Sequence, residues 1–594
     1  MTLAALLLAA CTSTAPPFAY NAPPQPEGTS GYTEKPGWAT ANFSVAAANP
    51  LATDAGYQIL KVGGSAVDAA IAVQMVLGLV EPQSSGIAGG AFLMHFNGKD
   101  VDAFDGRETA PASATENLLL DSNGRPLAFY DAVVGGRSVG TPGAVRMLEM
   151  AHKQHGRLPW AQLFEPAIAL ADNGFNISAR MNALLLPEVH LKKDPVARAY
   201  FYDANGRPWP VGHLLKNPEF AAVLKLIATS GAKALLEGEV AQAIVDKVQK
   251  HPTNPGTLAM SDLAGYQAKK RDPICYDYAA PAKSYRICGM PPPSSGTIAI
   301  GQILGMLSAR NAPAFQLEGG VPGADWLHPY LEASRLAYAD RAQYLGDPDF
   351  VQPPAGSWMS LLSPDYLAAR AKLIGPQSMK IATSGKPDGV QTGYAPMTNQ
   401  PEYGTSHISV IDSFGNAIAM TSTIEGAWGS RQMVNRGKGL AGGFLLNNEL
   451  TDFSFVPSDA AGSPIANRVQ GGKRPRSSMA PTLVFDKATG QLVLTTGSAG
   501  GEFIIHYTAK TVYGVLNWGL NIQQAINLPN FGSLNGPTQL EEKRFPPSTL
   551  EALRARGHEV HGVNMTSGLQ GIQRTPSGFF GGADPRREGI AKGD

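Results

Sequence analysis

Residues 401–412, PEYGTSHISVID, place Gly404 and Thr405 directly before an alternating strand pattern. A second strand pattern, AIAMTST, ends at Thr423, and the turn-forming residues SFGN separate the two. If the hairpin folds about Phe414, Thr405 lies opposite Thr423 and both hydroxyls share one face. Threonine pairs are common in ordinary sheets. Beside a glycine that leaves the backbone accessible, this pair predicts an activated hydroxyl nucleophile.

Other catalytic signatures are mostly missing from the sequence. It contains no Walker loop, no HExxH, no Cys-x-x-Cys and no dinucleotide fingerprint. The segment TGSAGG comes closest to the serine-hydrolase elbow but has Thr496 in place of the first glycine. The 11 histidines are scattered singly, which argues against a metal site, and His407 is predicted to be a structural strand residue. We therefore expect no metal and no cofactor, and a Ser-His-Asp enzyme is a weak alternative.

The composition is that of a large, neutral globular protein. The chain has 594 residues, is 43% hydrophobic and carries 48 basic and 48 acidic residues. Without clustered excess charge, we expect no nucleic-acid partner. The 66 glycines and 46 prolines favour an α/β enzyme with many loops.

The N-terminus has the pattern of an export signal. A short apolar run ends in LAAC at Cys11, which is typical of a bacterial lipoprotein, and the run is too short to span a bilayer. No basic residue precedes it, which is consistent with a start codon further upstream. A buried apolar segment is the alternative. Residues 1–36 are predicted to be a signal and a Pro/Ser/Thr-rich tether. We expect an exported, periplasmic protein with a possible lipid anchor at Cys11.

Cys275 and Cys288 lie in two short strand-like runs, PICYDY and KSYRIC. A hairpin centred between Pro281 and Ala282 places the two cysteines opposite each other, at a separation that suits a disulfide. In an exported protein this predicts a structural disulfide, with two free buried thiols as the alternative.

Helices and strands share the chain without a linker or repeat that would separate independent domains. Apolar spacing predicts helices in PLATDAGYQILKVGG and SAVDAAIAVQMVLGLV, then a strand in AFLMHF. Residues 141–250 are predicted to be mostly helical. Beyond residue 405 the pattern changes to strands with glycine-rich loops, as in HISVID, AIAMTST, PTLVFD and QLVLTTG.

From about residue 37 to its end, the chain resembles the γ-glutamyltransferases (glutathione hydrolases) of the N-terminal nucleophile hydrolase superfamily. The segments that carry this resemblance are GGSAVDAAIA, DGRETAP, GTPGAV, MPPPSSG, YLGDPDF, GTSHISVID, GFLLNNELTDFS, KRPRSSMAPT and GADPR. The resemblance implies an α+β fold, a four-layer αββα sandwich. It also implies self-cleavage between Gly404 and Thr405 into a large subunit, 37–404, and a small one, 405–594, that form the fold jointly.

The resemblance further implies a mechanism. Thr405 would attack the γ-glutamyl amide of glutathione and pass the acyl group to water or to an amino acid or dipeptide acceptor. Its new α-amine would serve as the base, since such a group has a pKa near neutrality. Thr423 would tune the nucleophile, and the backbone N–H groups of Gly500 and Gly501 would form the oxyanion hole.

The implied substrate contacts are of two kinds. Arg107 and the hydroxyls of Ser477 and Ser478 would bind the α-carboxylate. Acceptors for the α-ammonium group are expected at three acidic positions, which are Glu425, Glu449 and Asp452. Glu425 departs from the asparagine of well-known family members. The crowded carboxylates favour an amine-bearing substrate, although the crowding could instead keep one of them protonated.

Two other functions remain open. One is a related acylase of the cephalosporin or glutaryl type, whose substrate has no ammonium group to meet the acidic trio. The other is a non-catalytic exported binding lipoprotein, which would not cleave itself.

Overall fold

The computed structural model describes Tyr20 and residues 31–310, 315–391, 393–398 and 404–594. The predicted lipoprotein cysteine, Cys11, and most of the tether lie outside the described residues. In the part of the chain that is described, no helix is both long enough and apolar enough to cross a membrane.

The described strands are short and spread over the whole chain. They are β1 (Trp38–Thr40), β2 (Ser44–Ala47), β3 (Gly90–Phe96), β4 (Val101–Asp105), β5 (Phe175–Asn176), β6 (Leu214–Leu215), β7 (Lys269–Arg271), β8 (Ile274–Ala279), β9 (Ser284–Gly289), β10 (Leu317–Glu318), β11 (Val321–Pro322), β12 (Ser406–Ile411), β13 (Ala417–Thr423), β14 (Met433–Val434), β15 (Phe444–Leu445), β16 (Thr482–Asp486), β17 (Leu492–Gly497), β18 (Phe531–Gly532), β19 (Thr538–Glu541), β20 (Val560–Val563), β21 (Gln570–Thr575), β22 (Gly578–Ala583) and β23 (Ile590–Gly593).

The described α-helices fall mainly before residue 372. They are α1 (Pro50–Lys61), α2 (Ala66–Val80), α3 (Phe129–Val133), α4 (Ala144–His155), α5 (Glu165–Asn173), α6 (Ala179–Leu185), α7 (Pro195–Phe201), α8 (Pro218–Ser230), α9 (Lys233–Leu236), α10 (Gly238–Gln249), α11 (Met260–Gly265), α12 (Gly296–Ala309), α13 (Ala324–Tyr344), α14 (Pro364–Ala371), α15 (Ile504–Leu516), α16 (Ile522–Asn527) and α17 (Pro547–Ala555).

Two seven-stranded antiparallel sheets form the centre of the molecule. The first has the strand order β23-β2-β12-β13-β3-β4-β7 and the second β1-β22-β21-β17-β16-β9-β8. The sheets stack face to face, with β12 in contact with β17 and β21. Helices α1, α2 and α4 cover the outer face of the first sheet, and α12, α15 and α16 cover the second. The αββα sandwich predicted from the resemblance is therefore confirmed.

The elements predicted from local patterns are present. The two first helices occur as α1 and α2, and Ser65 caps α2 in a reciprocal capping box with Asp68. The predicted strands occur as β3, β12, β13, β16 and β17. Both large hydrophobic clusters include residues from before and after position 404. The division into two subunits at Gly404 stays a prediction.

One expectation about the second half of the chain is incomplete, because α15, α16 and α17 also lie beyond residue 405. Every residue of α15 is buried between the second sheet and its neighbouring helices. Its polar side chains, His506 and Lys510 among them, are hydrogen-bonded inside the protein and not exposed to solvent.

Candidate active site

The hairpin of β12 and β13 positions the two predicted threonines. Ser406 pairs with Ser422 and Ile411 with Ala417, so the register is the one predicted from a turn about Phe414. Asp412 holds this turn, because its Oδ1 accepts the Phe414 and Asn416 amides at 2.9 Å each. Local turn chemistry thus places one threonine immediately before β12 and the other at the end of β13.

Thr405 and Thr423 converge on the carbonyl of Gly404. The Thr405 hydroxyl contacts that carbonyl oxygen, and Thr423 Oγ1 donates to it at 3.1 Å. The backbone N–H of Glu425 in turn donates to Thr423 Oγ1 at 2.8 Å. Thr405 is only 3% exposed, so these contacts form in a site with little access to water.

Gly404 has no room for a side chain. Its φ is +79°, and a Cβ there would lie 2.6 Å from the carbonyl oxygen of Glu425. The glycine is therefore required both by the left-handed backbone and by the close approach of the neighbouring chain.

Arg587 holds the backbone carbonyl of Thr405. Its Nη1 donates to the Thr405 carbonyl at 3.1 Å and its Nε to the Ser567 carbonyl at the same distance. Burial lowers the pKa of Arg587 to about 10. The predicted site did not include this residue, because it lies 182 positions from Thr405 in the sequence.

Gly500 and Gly501 follow β17 and precede α15, with φ values of +124° and +59°. Consecutive residues with such angles can present backbone N–H groups to an anion. Gly501 lines the same cleft as Thr405. This placement is compatible with the predicted oxyanion hole, whose role stays a prediction.

Arg107 lies in the cleft but is paired with carboxylates of the chain itself. Its guanidinium forms ion pairs with Glu449 and Asp452, and its Nη2 also donates to the Arg476 carbonyl at 2.9 Å. Burial disfavours the charge on Arg107, but the two carboxylates outweigh that effect and raise the guanidinium pKa. Arg107, which was predicted to bind the substrate's α-carboxylate, therefore forms one buried cluster with Glu449 and Asp452. These two carboxylates were predicted to accept the substrate's ammonium group.

Two buried carboxyl groups in this region, those of Glu449 and Glu108, have raised pKa values, which favours their protonated forms. Burial raises the pKa of Glu449 well above its ordinary value, although Arg107 acts in the opposite direction. Burial likewise raises the pKa of Glu108, to about 7. Glu108 directly follows Arg107 in the segment DGRETAP. It was missed because an acidic residue beside an arginine carries no sequence signal of its own.

Glu425 occupies the end of the cleft next to Thr423. Its backbone has a φ of +70°, a region that asparagine and glycine adopt more readily than glutamate. Its carboxylate accepts a hydrogen bond from Asn448 Nδ2, and Asn448 Oδ1 accepts the Gly426 amide at 2.8 Å. Asn448 therefore orients the acidic side chain and the loop that carries it, and was not among the predicted residues.

Ser477 and Ser478 line the same cleft as Thr405 and Thr423. Arg341 Nη2 donates to Ser478 Oγ at 2.7 Å, and Arg341 Nη1 forms an ion pair with Glu502 at 2.7 Å. The Ser477 carbonyl accepts the Ser295 amide at 2.7 Å. The serine pair is thus held rigidly by α12 and α13.

The structure brings almost all predicted site residues into one small cleft. Its lining consists of Arg107, Gly404, Thr405, Thr423, Glu425, Glu449, Asp452, Ser477, Ser478, Met479, Gly501 and Ile504. A larger cleft, lined in part by Tyr130, Arg137 and His251, contains none of them. The convergence of titratable and nucleophilic groups, rather than size, identifies the smaller cleft as the candidate active site.

His407 is a structural residue, as predicted. It is fully buried in β12, with Nδ1 2.8 Å from Thr421 Oγ1 and Nε2 3.2 Å from Ser409 Oγ. Burial lowers the pKa of His407 to about 3. The neutral ring connects strands and does not face the cleft residues.

Cys275 and Cys288 lie directly opposite each other in the β8–β9 pair, in the predicted register. Their Cα atoms are 4.1 Å apart and their sulfur atoms are bonded. The pair joins the two last strands at one edge of the second sheet, outside the cleft.

Two stacked sheets between helical layers, with a threonine at the head of a central strand, define the class of N-terminal nucleophile hydrolases. The family model for gamma-glutamyltranspeptidase matches residues 52–594. The glutathione hydrolase proenzymes of Bacillus subtilis (strain 168) and Escherichia coli (strain K12) are each 36% identical to the chain. The match to the B. subtilis protein covers 92% of this chain and 91% of that protein. The match to the E. coli protein covers 98% of this chain and 97% of that protein.

A solved structure of similar shape is the cephalosporin acylase from Bacillus halodurans, with a TM-score of 0.80 and 26% identity. The match covers 97% of this chain and 99% of the acylase. The chain belongs to the γ-glutamyltranspeptidase family and is an enzyme of that family.

Proposed function

We propose that the protein cleaves itself between Gly404 and Thr405 and then hydrolyses or transfers the γ-glutamyl group of glutathione and related amides. The observation that carries this proposal is the contact between the Thr405 hydroxyl and the Gly404 carbonyl, with Thr423 donating to the same oxygen. The names of the B. subtilis and E. coli relatives support the substrate and the proenzyme.

Self-cleavage would proceed by an N-to-O acyl shift. Thr405 Oγ1 attacks the Gly404 carbonyl carbon, the peptide C–N bond breaks, and the nitrogen takes up the hydroxyl proton. Thr423 stabilises the oxygen on which negative charge develops. Water then hydrolyses the ester, which leaves a carboxylate on Gly404 and a free α-amine on Thr405. The products would be the predicted large fragment, 37–404, and small fragment, 405–594.

Turnover would use the same hydroxyl. Thr405 Oγ1 attacks the γ-glutamyl carbonyl while the α-amine accepts its proton, and the backbone amides of Gly500 and Gly501 stabilise the oxyanion. The amine passes the proton to the leaving cysteinylglycine. Water or the amine of an acceptor then attacks the acyl-enzyme and regenerates Thr405.

The substrate's glutamyl end would bind at the buried charged cluster. Its α-carboxylate would be met by Arg107, Ser477 and Ser478, and its ammonium by the acidic trio. Since Arg107 is already paired with Glu449 and Asp452, substrate would join an existing network in which both signs of charge are present. A zwitterionic head group suits such a site better than a simple acid.

The test is the fate of the Gly404–Thr405 bond. Wild-type protein should give two bands on denaturing electrophoresis, and N-terminal sequencing of the smaller should begin at Thr405. Thr405→Ala should abolish both cleavage and activity because the nucleophile is lost. Thr405→Ser should retain part of each because the hydroxyl survives. An active, uncleaved single chain would refute the mechanism.

The second candidate is a glutaryl or cephalosporin acylase, favoured by the close match to the B. halodurans structure. The acidic residues of the cleft argue against it, because a glutaryl group has no ammonium. Losing a charge-assisted partner costs about 1.5–3 kcal/mol, or one to two decades in kcat/KM. We expect γ-glutamyl p-nitroanilide to be preferred over the glutaryl analogue by that factor. Equal values, or a glutaryl preference, would favour the acylase.

The cellular location is a separate proposal, namely export to the periplasm with a lipid on Cys11. It is supported by the N-terminal pattern and by the Cys275–Cys288 bond, which suits an oxidising compartment. Wild-type protein should partition into the detergent phase of Triton X-114, whereas Cys11→Ser should remain in the aqueous phase. Identical partitioning of the two would refute the anchor.

A further inference from the structure

A cluster of potential metal ligands lies outside the active-site cleft. His95 on β3 pairs directly with Asp102 on β4, and His155 is the last residue of α4, which packs on these strands. One ligand atom from each residue lies within 4.8 Å of the other two. His155 Nε2 is 3.1 Å from Asp102 Oδ2, and the two imidazole rings lie with centroids 4.0 Å apart and are tilted by 32° to each other.

The cluster contains a buried nitrogen without a hydrogen-bonding partner in the described part of the chain. His95 is 2% exposed, and its Nδ1 has no hydrogen-bonding partner among the described residues. Leaving a buried polar atom without a partner is costly, and a bound cation would relieve it. Histidine is the side chain most often found as a metal ligand in proteins, through either ring nitrogen.

A second cluster, formed by His328, Glu332 and His558, differs because its polar atoms have partners within the protein. His328 Nδ1 lies 2.8 Å from His558 Nε2, and their outer nitrogens contact a backbone carbonyl at 2.8 Å and Thr538 Oγ1 at 3.0 Å. The nearby Glu332 is paired with Arg335 at 2.7 Å. The ring nitrogens of this cluster are hydrogen-bonded and its carboxylate is paired with Arg335, so it gives no indication of a ligand.

We propose that His95, Asp102 and His155 bind one divalent transition-metal ion, with Zn²⁺ as the best match. Two imidazoles and a carboxylate are ligands that Zn²⁺ accepts, and three protein ligands leave a position for water. The Asp102 and His155 side chains are each 16% exposed, so an ion can enter from solvent. Because the ligand atoms already lie within 4.8 Å of one another, binding requires only that the side chains rotate until these atoms face one ion.

Lys270 is already paired with one carboxylate of the cluster. Its ammonium lies 2.9 Å from Asp102 Oδ1, and its side chain is 46% exposed. A metal ion would displace it from Asp102, and the long side chain can extend into water. The lysine is therefore a competitor whose removal should strengthen metal binding.

The ion would connect the end of α4 to the first sheet rather than take part in catalysis. His95 pairs with Ile418 on β13, whereas Gly90, at the other end of β3, pairs with the active-site Thr423. Five residues of extended strand separate the two positions by about 17 Å. We expect the metal to raise Tm and to leave turnover unchanged.

The test uses the full-length protein after removal of metals with a chelator. Titration with Zn²⁺ by calorimetry, and with Co²⁺ by visible absorption, should give one equivalent bound to wild type. His155→Ala should lower the affinity at least tenfold, and Lys270→Gln should raise it several-fold. His561→Ala is the control, because His561 also faces a carboxylate, Glu559 at 2.9 Å, but lies outside the cluster.

Absence of binding to wild type would overturn the proposal, as would equal binding by His155→Ala, which would place the ion at other residues. Unchanged or weaker binding by Lys270→Gln would also contradict it. Circular dichroism checks that each variant is folded. If His155→Ala does not fold, Asp102→Asn removes a ligand at nearly constant size and should show the same loss. Zn²⁺ should raise Tm in wild type and in neither ligand variant.

Discussion

Thr423 makes two hydrogen bonds that matter for the proposed cleavage, one to the Gly404 carbonyl and one from the Glu425 amide. Thr423→Val keeps the shape of the side chain but removes both bonds. Losing stabilisation of about 1.5–3 kcal/mol should slow self-cleavage about 10- to 100-fold, measured by electrophoresis over time.

The matched control for this change is Thr495→Val, which also removes one buried threonine bond, to the Ile418 carbonyl at 2.7 Å. It should leave the cleavage rate within about twofold of wild type. If both variants slow cleavage equally, the effect comes from general destabilisation and not from Thr423.

Glu108 should make stability depend on pH. Burial raises its folded-state pKa to about 7, above its ordinary value, so the folded protein holds a proton that the unfolded chain releases. The stability associated with this proton is present at low pH and is lost as pH rises from about 4.5 through 7. Glu108→Gln mimics the protonated form and should remove that loss, which is about 3 kcal/mol.

The measurement is urea unfolding at pH 5 and pH 8 in the uncleaved Thr405→Ala background, where a single chain unfolds. Glu116→Gln, at an exposed glutamate, is the control and should keep the wild-type pH dependence. A Glu108→Gln variant that loses as much stability as the parent between the two pH values would contradict the assignment.

The backbone at Glu425 explains why its departure from asparagine matters. The position has a φ of +70°, which asparagine adopts at less cost than glutamate. The glutamate is held there by Asn448, whose amide bonds both its carboxylate and the Gly426 N–H. The extra carboxylate therefore adds a charge next to Thr423 at a position of backbone strain, a combination typical of functional sites.

Among the elements, the β8–β9 hairpin depends on its cysteine pair. β8 is the edge strand of the second sheet and β9 is its neighbour, and Tyr276 and Ile287 continue the register beyond the disulfide. Replacing both Cys275 and Cys288 with serine should cost about 3 kcal/mol, because the unfolded chain gains the freedom of the opened loop.

This loss should appear as a lower Tm with unchanged turnover, since the pair lies outside the cleft. Thiol counting on denatured, unreduced wild type should find neither cysteine free. Two titratable thiols from this pair would contradict the disulfide, and a loss of turnover at full folding would contradict its purely structural role.

For the whole molecule, the arrangement of strands determines what self-cleavage can release. In the first sheet, β12 and β13 lie between β2 and β3, and in the second, β16 pairs with β9. Both sheets therefore contain strands from before and after Gly404 that pair with each other, and each fragment alone would expose unpaired edges and apolar faces.

We expect the cleaved protein to behave as one particle. Size exclusion of the cleaved protein should give the same elution volume as the Thr405→Ala precursor, whose chain mass is 62.5 kDa before any signal is removed. Both fragments should be in that peak, and should separate only in denaturant. Separate elution of the two fragments in native buffer would contradict the interleaved fold.

The sequence by itself determined features that depend on neighbouring residues. Turn-forming residues around Phe414 and the apolar alternation on both sides set the β12–β13 register, and the same argument placed Cys275 opposite Cys288. Periodicity and a serine cap located α1 and α2. These signals are readable because the physical interactions that produce them act over a few residues.

Only the tertiary structure decided which distant groups meet. Arg107 pairs with Glu449, which lies 342 positions away, and Arg587 holds Thr405. The pKa of Glu108 depends on burial that no local pattern reveals. His95 and His155 are far apart in the sequence. They come into contact because α4, which ends at His155, packs on β3 and β4. Such contacts follow from how sheets and helices stack, and stacking depends on the summed burial of the whole core.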